Sequence, residues 1–116
     1  MQQNPANAQI EIRQCIQNCL TCHEVCTQMA AADRQSGGDH ANKEHIHMLL
    51  DCAELCLTTA HFLQHDSALA GYVCLASAQV TTICANECEQ TNHMDCANAC
   101  RNVAWSCNQL TKMIPG

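Results

Sequence analysis

The sequence is poor in large apolar side chains, in basic residues and in long hydrophobic runs. It contains one Phe, one Tyr and one Trp, with only nine Leu, six Ile and four Val among 116 residues. This is too little aliphatic bulk for an ordinary hydrophobic core. Five Lys and Arg against eleven Asp and Glu offer no basic surface to nucleic acid. No run approaches the roughly 18 apolar residues of a membrane span, so neither nucleic acid nor a membrane is an expected partner.

The beginning of the sequence carries no visible export signal. Residues 1–8, MQQNPANA, contain neither a basic stretch nor an apolar one. We therefore expect a cytoplasmic protein, in a compartment where thiols stay reduced. The alternative is an exported protein whose signal has been removed.

Helix breakers are also scarce, since there are two Pro and four Gly. Both Pro lie near the termini, and the long segments between the joints have helical periodicity. The sequence predicts one domain over 1–116 with a polar tail over 1–9. It is an all-α fold, an antiparallel up-down-up-down four-helix bundle. The predicted helices run from near Ile10 to Arg34, from a cap at Asp39 or Asn42 to Gln64, from a cap at Asp66 or Ser67 to Glu89, and from Thr91-Asn92 to Lys112.

Cysteine is the abundant residue that remains to fill the interior, with twelve copies. Those of the first helix are spaced by 4, 3 and 4 residues, which places them on one face of a helix. The other helices repeat the i, i+4 spacing, and the sequence predicts a Cys-lined core. The set is Cys15, Cys19, Cys22 and Cys26, then Cys52 and Cys56, then Cys74, Cys84 and Cys88, then Cys96, Cys100 and Cys107.

A metal-binding core explains this pattern better than two structural alternatives. Buried Cys can serve as a small hydrophobe, but Leu or Val would pack better at twelve inward positions. Disulfides fit poorly, because Cβ vectors at i and i+4 run parallel. Soft thiolates select Cu(I), zinc or iron–sulfur clusters. Ferredoxin spacings are absent, and rigid helical stripes do not suggest the tetrahedral arrangement that zinc prefers.

Multiple Cu(I) ions suit the stripes best, because a two-coordinate ion needs only one i, i+4 pair. One Cu(I) per thiolate also leaves the buried core close to neutral, whereas divalent ions at that ratio would leave it strongly positive. We therefore predict that all the cysteines bind metal.

Imidazoles and thioethers gather at one end of the predicted bundle, which we call the mouth. His45 and Met48 precede Cys52 by seven and four residues, and His93 precedes Cys100 by seven, so all three continue the inward stripes. We predict that His45, Met48 and His93 bind metal where ions pass in and out. His47, His61 and His65 fall on the opposite face. The mouth set as a whole is Met29, His40, His45, Met48, His93 and Met94.

The sequence resembles the bacterial copper storage proteins, small Cys-rich four-helix bundles with repeated Cys-x-x-x-Cys pairs. The resemblance extends from Ile10 to Lys112. It implies many Cu(I) ions down the core, uptake at the His- and Met-lined end, a homotetramer, and copper donor or acceptor proteins as partners. The family has exported and cytosolic members. The pairs that carry the resemblance are Cys15–Cys19, Cys22–Cys26, Cys52–Cys56, Cys84–Cys88 and Cys96–Cys100.

Storage without catalysis is the leading hypothesis, and two others stay open. One is a zinc or mixed soft-metal buffer. The other is a thiol redox protein or sensor, which needs an exposed thiol of low pKa beside a cation. Arg101 next to Cys100 and Arg13 near Cys15 are the only hints of such a thiol.

Overall fold

The computed structural model describes residues 6–37 and 42–113, and these residues form a four-helix bundle. The helices are α1 (Ala6–Ser36), α2 (Lys43–Gln64), α3 (Ala70–Gln90) and α4 (Met94–Met113). α1 and α3 each pack against both α2 and α4. The bundle is a rod of 54 × 20 × 18 Å. The predicted all-α bundle is confirmed, while Asp39 and His40 lie outside the described residues.

The first helix begins four residues earlier than the predicted start near Ile10. Ala has the highest helix propensity, and Ala8 is fully buried, so packing favours continuing the helix through part of the predicted tail. At the other end Gly37 has a φ of 70° and ends α1 in the left-handed conformation that glycine adopts readily. Asn42 caps α2, as predicted, by accepting a hydrogen bond from the N–H of His45 at 3.0 Å.

The two later turns differ from the predicted caps. Asp66 has a φ of 56° and ends α2, so it does not cap α3. α3 begins only at Ala70, and Ser67 Oγ instead accepts the N–H of Leu69 inside the turn, at 3.0 Å. α4 begins at Met94, two residues after Asn92, whose φ of 63° suits an Asn at a helix C-terminus.

The interior of the bundle consists of sulfur and small side chains. Every cysteine has an exposed fraction of 0%. Among the large aliphatic residues in 8–37 and 42–113, only Leu49, Val103 and Leu110 are buried as completely. Ala residues such as Ala60 and Ala85 fill the remaining contact positions. The predicted Cys-lined core is therefore confirmed.

One described helix, α2, is long and apolar enough to cross a membrane by length and composition alone. Nearly half of that segment is buried inside the bundle. Its buried side chains, among them Leu49, Cys52 and Cys56, belong to the common core, while Asp51 and Glu54 are exposed. Packing against the neighbouring helices accounts for the apolar character of α2.

We expect Leu110→Ala to lower the free energy of unfolding by about 2–5 kcal/mol, because the substitution removes buried methyl groups and leaves a cavity. Urea unfolding of the reduced protein, followed by circular dichroism, measures the loss. Ile10→Ala is the matched control, since Ile10 is 64% exposed. It is expected to change the stability by about 0.5 kcal/mol or less. Equal losses in the two variants would contradict a central packing role for Leu110.

Candidate metal centre

The densest group of thiols lies in the half of the bundle nearest the mouth. Cys22 and Cys26 come from α1, Cys52 from α2 and Cys100 from α4, and their Sγ atoms lie within 4.8 Å of one another. Cys100 Sγ is 3.7 Å from Cys22, 3.7 Å from Cys52 and 4.0 Å from Cys26. Because three helices contribute, the group depends on their relative rotation and on no single motif. We call these four residues the upper cluster.

A second group lies toward the other end of the rod. Cys15 and Cys19 of α1 and Cys107 of α4 also have Sγ atoms within 4.8 Å of one another. Cys15 Sγ and Cys107 Sγ are 3.7 Å apart. Cys74 of α3 adjoins this group through hydrogen bonds with Cys107 and Cys15, which raise its pKa. We call these residues the lower cluster.

The remaining cysteines connect the two clusters and extend the sulfur to the mouth. Cys56 lies near Cys19 and Cys22, which lower its pKa. Cys84 lies near Cys100, and Cys96 lies near Cys26; these neighbours raise the pKa of both residues. Cys88 lies near Cys84 and Cys96, which lower its pKa. All twelve thiols are free and belong to one continuous cluster of buried side chains.

Neighbouring thiols in this network have pKa values shifted in opposite directions. Hydrogen bonds with Cys100 and Cys22 raise the pKa of Cys52 far above its ordinary value, whereas bonds with the same two residues lower the pKa of Cys26. A hydrogen bond with Cys22 lowers the pKa of Cys100 to about 6. A first thiolate is thus stabilised by S–H donors around it, while a second one beside it is opposed by charge and burial. Full deprotonation of the network therefore requires bound cations.

The row of inward-facing cysteines is interrupted on α3. Between Cys74 and Cys84 the inward positions are occupied by Ser77 and Thr81, both fully buried. Thr81 Oγ1 donates to Ser77 O at 2.7 Å, which satisfies the hydroxyl within the helix. Thr59 of α2 does the same with Leu55 O at 2.8 Å. These hydroxyls leave the α2–α3 side of the rod poorer in sulfur than the α1 side.

At the mouth, the structure brings together His45, His93 and the carboxylate of Asp33. The two imidazoles stack with ring centroids 5.2 Å apart. Asp33 Oδ1 is 3.2 Å from His93 Nε2, and Asp33 Oδ2 is 3.5 Å from His45 Nε2. All three side chains are buried. Sequence reasoning missed Asp33, although it follows Cys26 by seven residues and so lies on the same helical stripe.

The other residues at this end divide between core and surface. Met48 is half-buried and packs against the core, as does Met29. Met94 is 47% exposed and does not join them, because α4 begins at this residue and turns it outward. His47, His61 and His65 are exposed, as predicted. His23 is engaged elsewhere, with Nδ1 2.8 Å from Ala53 O.

The upper cluster brings together four thiols from three helices, the number of ligands that a structural zinc site uses. Bonds of about 2.3 Å to tetrahedral thiolates place the sulfur atoms about 3.8 Å apart. The distances from Cys100 Sγ to the other three, from 3.7 to 4.0 Å, are close to that value, and all four Sγ atoms lie within 4.8 Å of one another. Spacing along each helix taken alone does not predict this grouping. Four thiols at these distances are compatible with zinc as well as with copper.

Comparison with known proteins identifies the family. A sequence profile described as "Copper storage protein" matches residues 8–112, nearly the whole chain. The chain belongs to the copper storage protein family. Within this family the chain resembles a cytosolic copper storage protein from Streptomyces lividans, solved during copper loading with five coppers. The two share 28% identity with a TM-score of 0.86, over 96% of this chain and 100% of the other.

Two further proteins resemble this chain. The Nmul_A1745 protein from Nitrosospira multiformis is 30% identical, with a TM-score of 0.86 over 91% of this chain and 99% of its own. The uncharacterized cysteine-rich protein YhjQ from Bacillus subtilis (strain 168) is 25% identical over 93 residues, which cover 80% of this chain and 85% of YhjQ. The resemblance to the family that the Cys-x-x-x-Cys pairs suggest is therefore confirmed.

We expect the thiols of the reduced, metal-free protein to react slowly with a colorimetric thiol reagent, because all twelve have an exposed fraction of 0%. In denaturant the full twelve thiols should react rapidly. Ala31→Cys, which adds a thiol at an exposed position of α1, is the control and should contribute one fast equivalent in the native state. Rapid native reaction of several thiols without that substitution would contradict the burial.

Proposed function

We propose that this protein stores copper as Cu(I), holding many ions on thiolates along the axis of the bundle and carrying out no catalysis. The observation that carries the proposal is the continuous network of twelve free, fully buried thiols. A sensor or an enzyme needs one or two reactive sites, whereas twelve buried thiols provide ligands for many metal ions. Membership of the copper storage protein family supports the same conclusion.

The charge of the core favours a monovalent soft ion. Each Cu(I) that replaces a thiol proton leaves the buried network neutral, which avoids the large cost of burying unpaired charge. Thiolates are also the ligands that Cu(I) prefers. Neighbouring Sγ atoms 3.7–4.0 Å apart allow one sulfur to serve two ions. We propose all twelve cysteines as ligands, with His45, Met48 and His93 at the mouth.

Zinc buffering is the second candidate, and a specific observation favours it. The upper cluster (Cys22, Cys26, Cys52 and Cys100) brings four thiols, the number that a structural zinc site uses, within 4.8 Å of one another. Zinc would take four thiolates per ion, so a chain with twelve thiols would saturate near three ions. Copper shared between sulfurs would saturate much higher, and stoichiometry separates the two.

A thiol redox role receives less support. Arg101 pairs with Glu89, with an N–O distance of 2.9 Å, and donates to Asn86 at 2.8 Å. That guanidinium is therefore used in a surface contact between α4 and α3, and it does not activate a thiol. Cys100 itself is fully buried, unlike the accessible thiolate that redox chemistry requires.

Assembly and compartment complete the proposal. Large apolar side chains of α3 and α4, among them Tyr72, Leu75, Ile83 and Trp105, are at least half exposed. Exposed apolar surface of this kind is typical of an interface between subunits. We propose a homo-oligomer, a tetramer by resemblance to the family, located in the cytoplasm like the relative described as cytosolic. Copper donor or acceptor proteins would exchange ions at the mouth.

Anaerobic titration of the reduced protein with Cu(I), against a competing colorimetric chelator, tests storage. We expect roughly ten or more equivalents per chain to be withheld before the chelator gains any. Cys52→Ser/Cys100→Ser should bind fewer ions, because serine oxygen is a poor ligand for Cu(I). Ala97→Ser, which adds a buried hydroxyl but removes no thiol, is the matched control and should keep the wild-type capacity. Withholding of only one or two equivalents would contradict storage, and saturation near three zinc ions with weak Cu(I) binding would favour the zinc candidate.

The rate of copper uptake tests the role of the mouth. His45→Ala should slow Cu(I) transfer from a small-molecule donor severalfold in stopped-flow measurements, while the final capacity stays nearly unchanged. The reason is that His45 is a transfer ligand at the end of the rod, whereas the thiols hold the stored ions. His47→Ala removes an exposed imidazole two residues away and serves as the control. Equal rates in the two variants would contradict uptake through His45.

A further inference from the structure

The upper and lower clusters are separated along the axis by a layer that contains little sulfur. The two clusters have no residue in common. At the boundary between them, inward positions of α2, α3 and α4 hold other fully buried side chains, which we call the waist: Thr59, Ser77, Thr81 and Val103. We propose that Cys56 of α2 is the thiol through which Cu(I) ions pass the waist, so that the two clusters fill in series. This inference rests on the proposed storage of copper.

The side chains of the waist are poor carriers of Cu(I). Thr81 Oγ1 donates a hydrogen bond to Ser77 O at 2.7 Å, and Thr59 Oγ1 donates one to Leu55 O at 2.8 Å, so both hydroxyls are held within their own helices. Neutral hydroxyl oxygen is in any case a hard ligand that binds Cu(I) weakly. Val103 has no ligand atom. The passage of a soft ion is therefore interrupted on α3 and on α4.

Cys56 supplies sulfur at the point where the other helices do not. It follows Cys52 of the upper cluster by four residues, so it lies one turn further from the mouth on the same face of α2. It is fully buried, and it lies near both Cys22 of the upper cluster and Cys19 of the lower cluster, which lower its pKa. Cys56 is thus a sulfur neighbour of both clusters.

The far end of the rod is closed beyond the lower cluster. Apolar side chains from all four helices are buried there, and they continue the inward faces past the last cysteines: Ala8, Leu63, Ala70 and Leu110. These side chains offer no ligand to a metal ion. Ions that reach the lower cluster therefore come from the upper cluster and have to cross the waist.

The transfer is an exchange of ligands without oxidation or reduction. The sulfur of Cys56 binds a Cu(I) ion held by Cys22, and the bond between that ion and the Cys22 sulfur breaks. The ion then bonds to the sulfur of Cys19 and leaves Cys56. The thiol proton of Cys19 moves in the opposite direction, by way of Cys56, to the sulfur of Cys22. Each ion that moves down is matched by a proton that moves up, so no unpaired charge is buried.

The test follows each cysteine by NMR of its ¹³Cβ resonance while Cu(I) is added anaerobically to the reduced full-length protein. In the wild type, the resonances of the upper cluster should shift before those of Cys15 and Cys107. In Cys56→Ser the upper cluster should load as in the wild type, but Cys15 and Cys107 should load about tenfold or more slowly, because serine oxygen binds Cu(I) weakly. Cys84→Ser is the matched control. It also removes one buried thiol, but one that lies beside the upper cluster, and it should leave the loading rate of Cys15 and Cys107 unchanged.

A second variant restores sulfur to the waist from another helix. Position 103 lies three residues after Cys100 and four before Cys107, so Val103→Cys would connect the two clusters along one face of α4. Cys56→Ser/Val103→Cys has as many thiols as the wild type and should regain fast loading of the lower cluster. A general loss of packing in Cys56→Ser would not be corrected in this way, and circular dichroism measures the helix content of each variant.

Three results would overturn the role of Cys56. The first is loading of Cys15 and Cys107 in Cys56→Ser at the wild-type rate, which would show that ions cross the waist without this thiol. The second is slow loading that persists in Cys56→Ser/Val103→Cys, which would assign the effect to packing. The third is a lower cluster that fills before the upper one in the wild type. Failure of copper storage itself has a different signature, because the wild type would then bind few Cu(I) ions in total.

Discussion

The bundle depends on burying thiols where other proteins bury leucine. A Cys side chain removes much less apolar surface from water than Leu does, so each core position contributes little stability. The fold compensates with length, using helices of 20 to 31 residues that repeat the same small contacts. Large aliphatic side chains such as Leu49 and Leu110 are used sparingly. The need to place sulfur along the whole axis therefore explains the rod shape, the many Ala residues and the scarcity of aromatic ones.

The donor atoms change character along the axis. Sulfur runs through the interior from the lower cluster to Cys88, and the mouth adds imidazole and carboxylate groups within the same packed layer. Cys88 lies where the two chemistries meet: hydrogen bonds from Cys84 and Cys96 hold its pKa at about 4, and His45 contributes to lowering it. An ion moving inward therefore passes from harder ligands to softer ones, an order that favours retention of a soft metal.

Much of this architecture can be predicted from the sequence, because it rests on periodicity. The spacing of Cys15, Cys19, Cys22 and Cys26 fixes one helical face, and the scarcity of Pro and Gly leaves the helices uninterrupted. Helix starts were less predictable: α3 begins at Ala70 without any side-chain cap, so no Ser or Asp marks the position.

The contents of the site were predicted unevenly for a similar reason. Asp33 was overlooked because a charged residue is rarely buried without a partner, and its partners belong to other helices. The grouping of four thiols in the upper cluster depends on the rotation of α1, α2 and α4 about their axes, which the spacing of residues along the sequence does not contain. Met94 was included in the mouth because it lies next to the turn in the sequence. That position does not indicate the direction of its side chain, which is 47% exposed.

Exchange of thiol protons for Cu(I) in the core of an acidic chain has a consequence for the electrostatic field around the protein. The formal net charge is −6 at pH 7 with neutral His. If each ion of the proposed Cu(I) cargo replaces one thiol proton, loading leaves the net charge unchanged. Solubility, self-repulsion and long-range attraction to other molecules then do not vary with loading. A partner protein that must distinguish a copper-loaded chain from an empty one cannot do so by long-range electrostatic attraction. It has to contact the mouth directly.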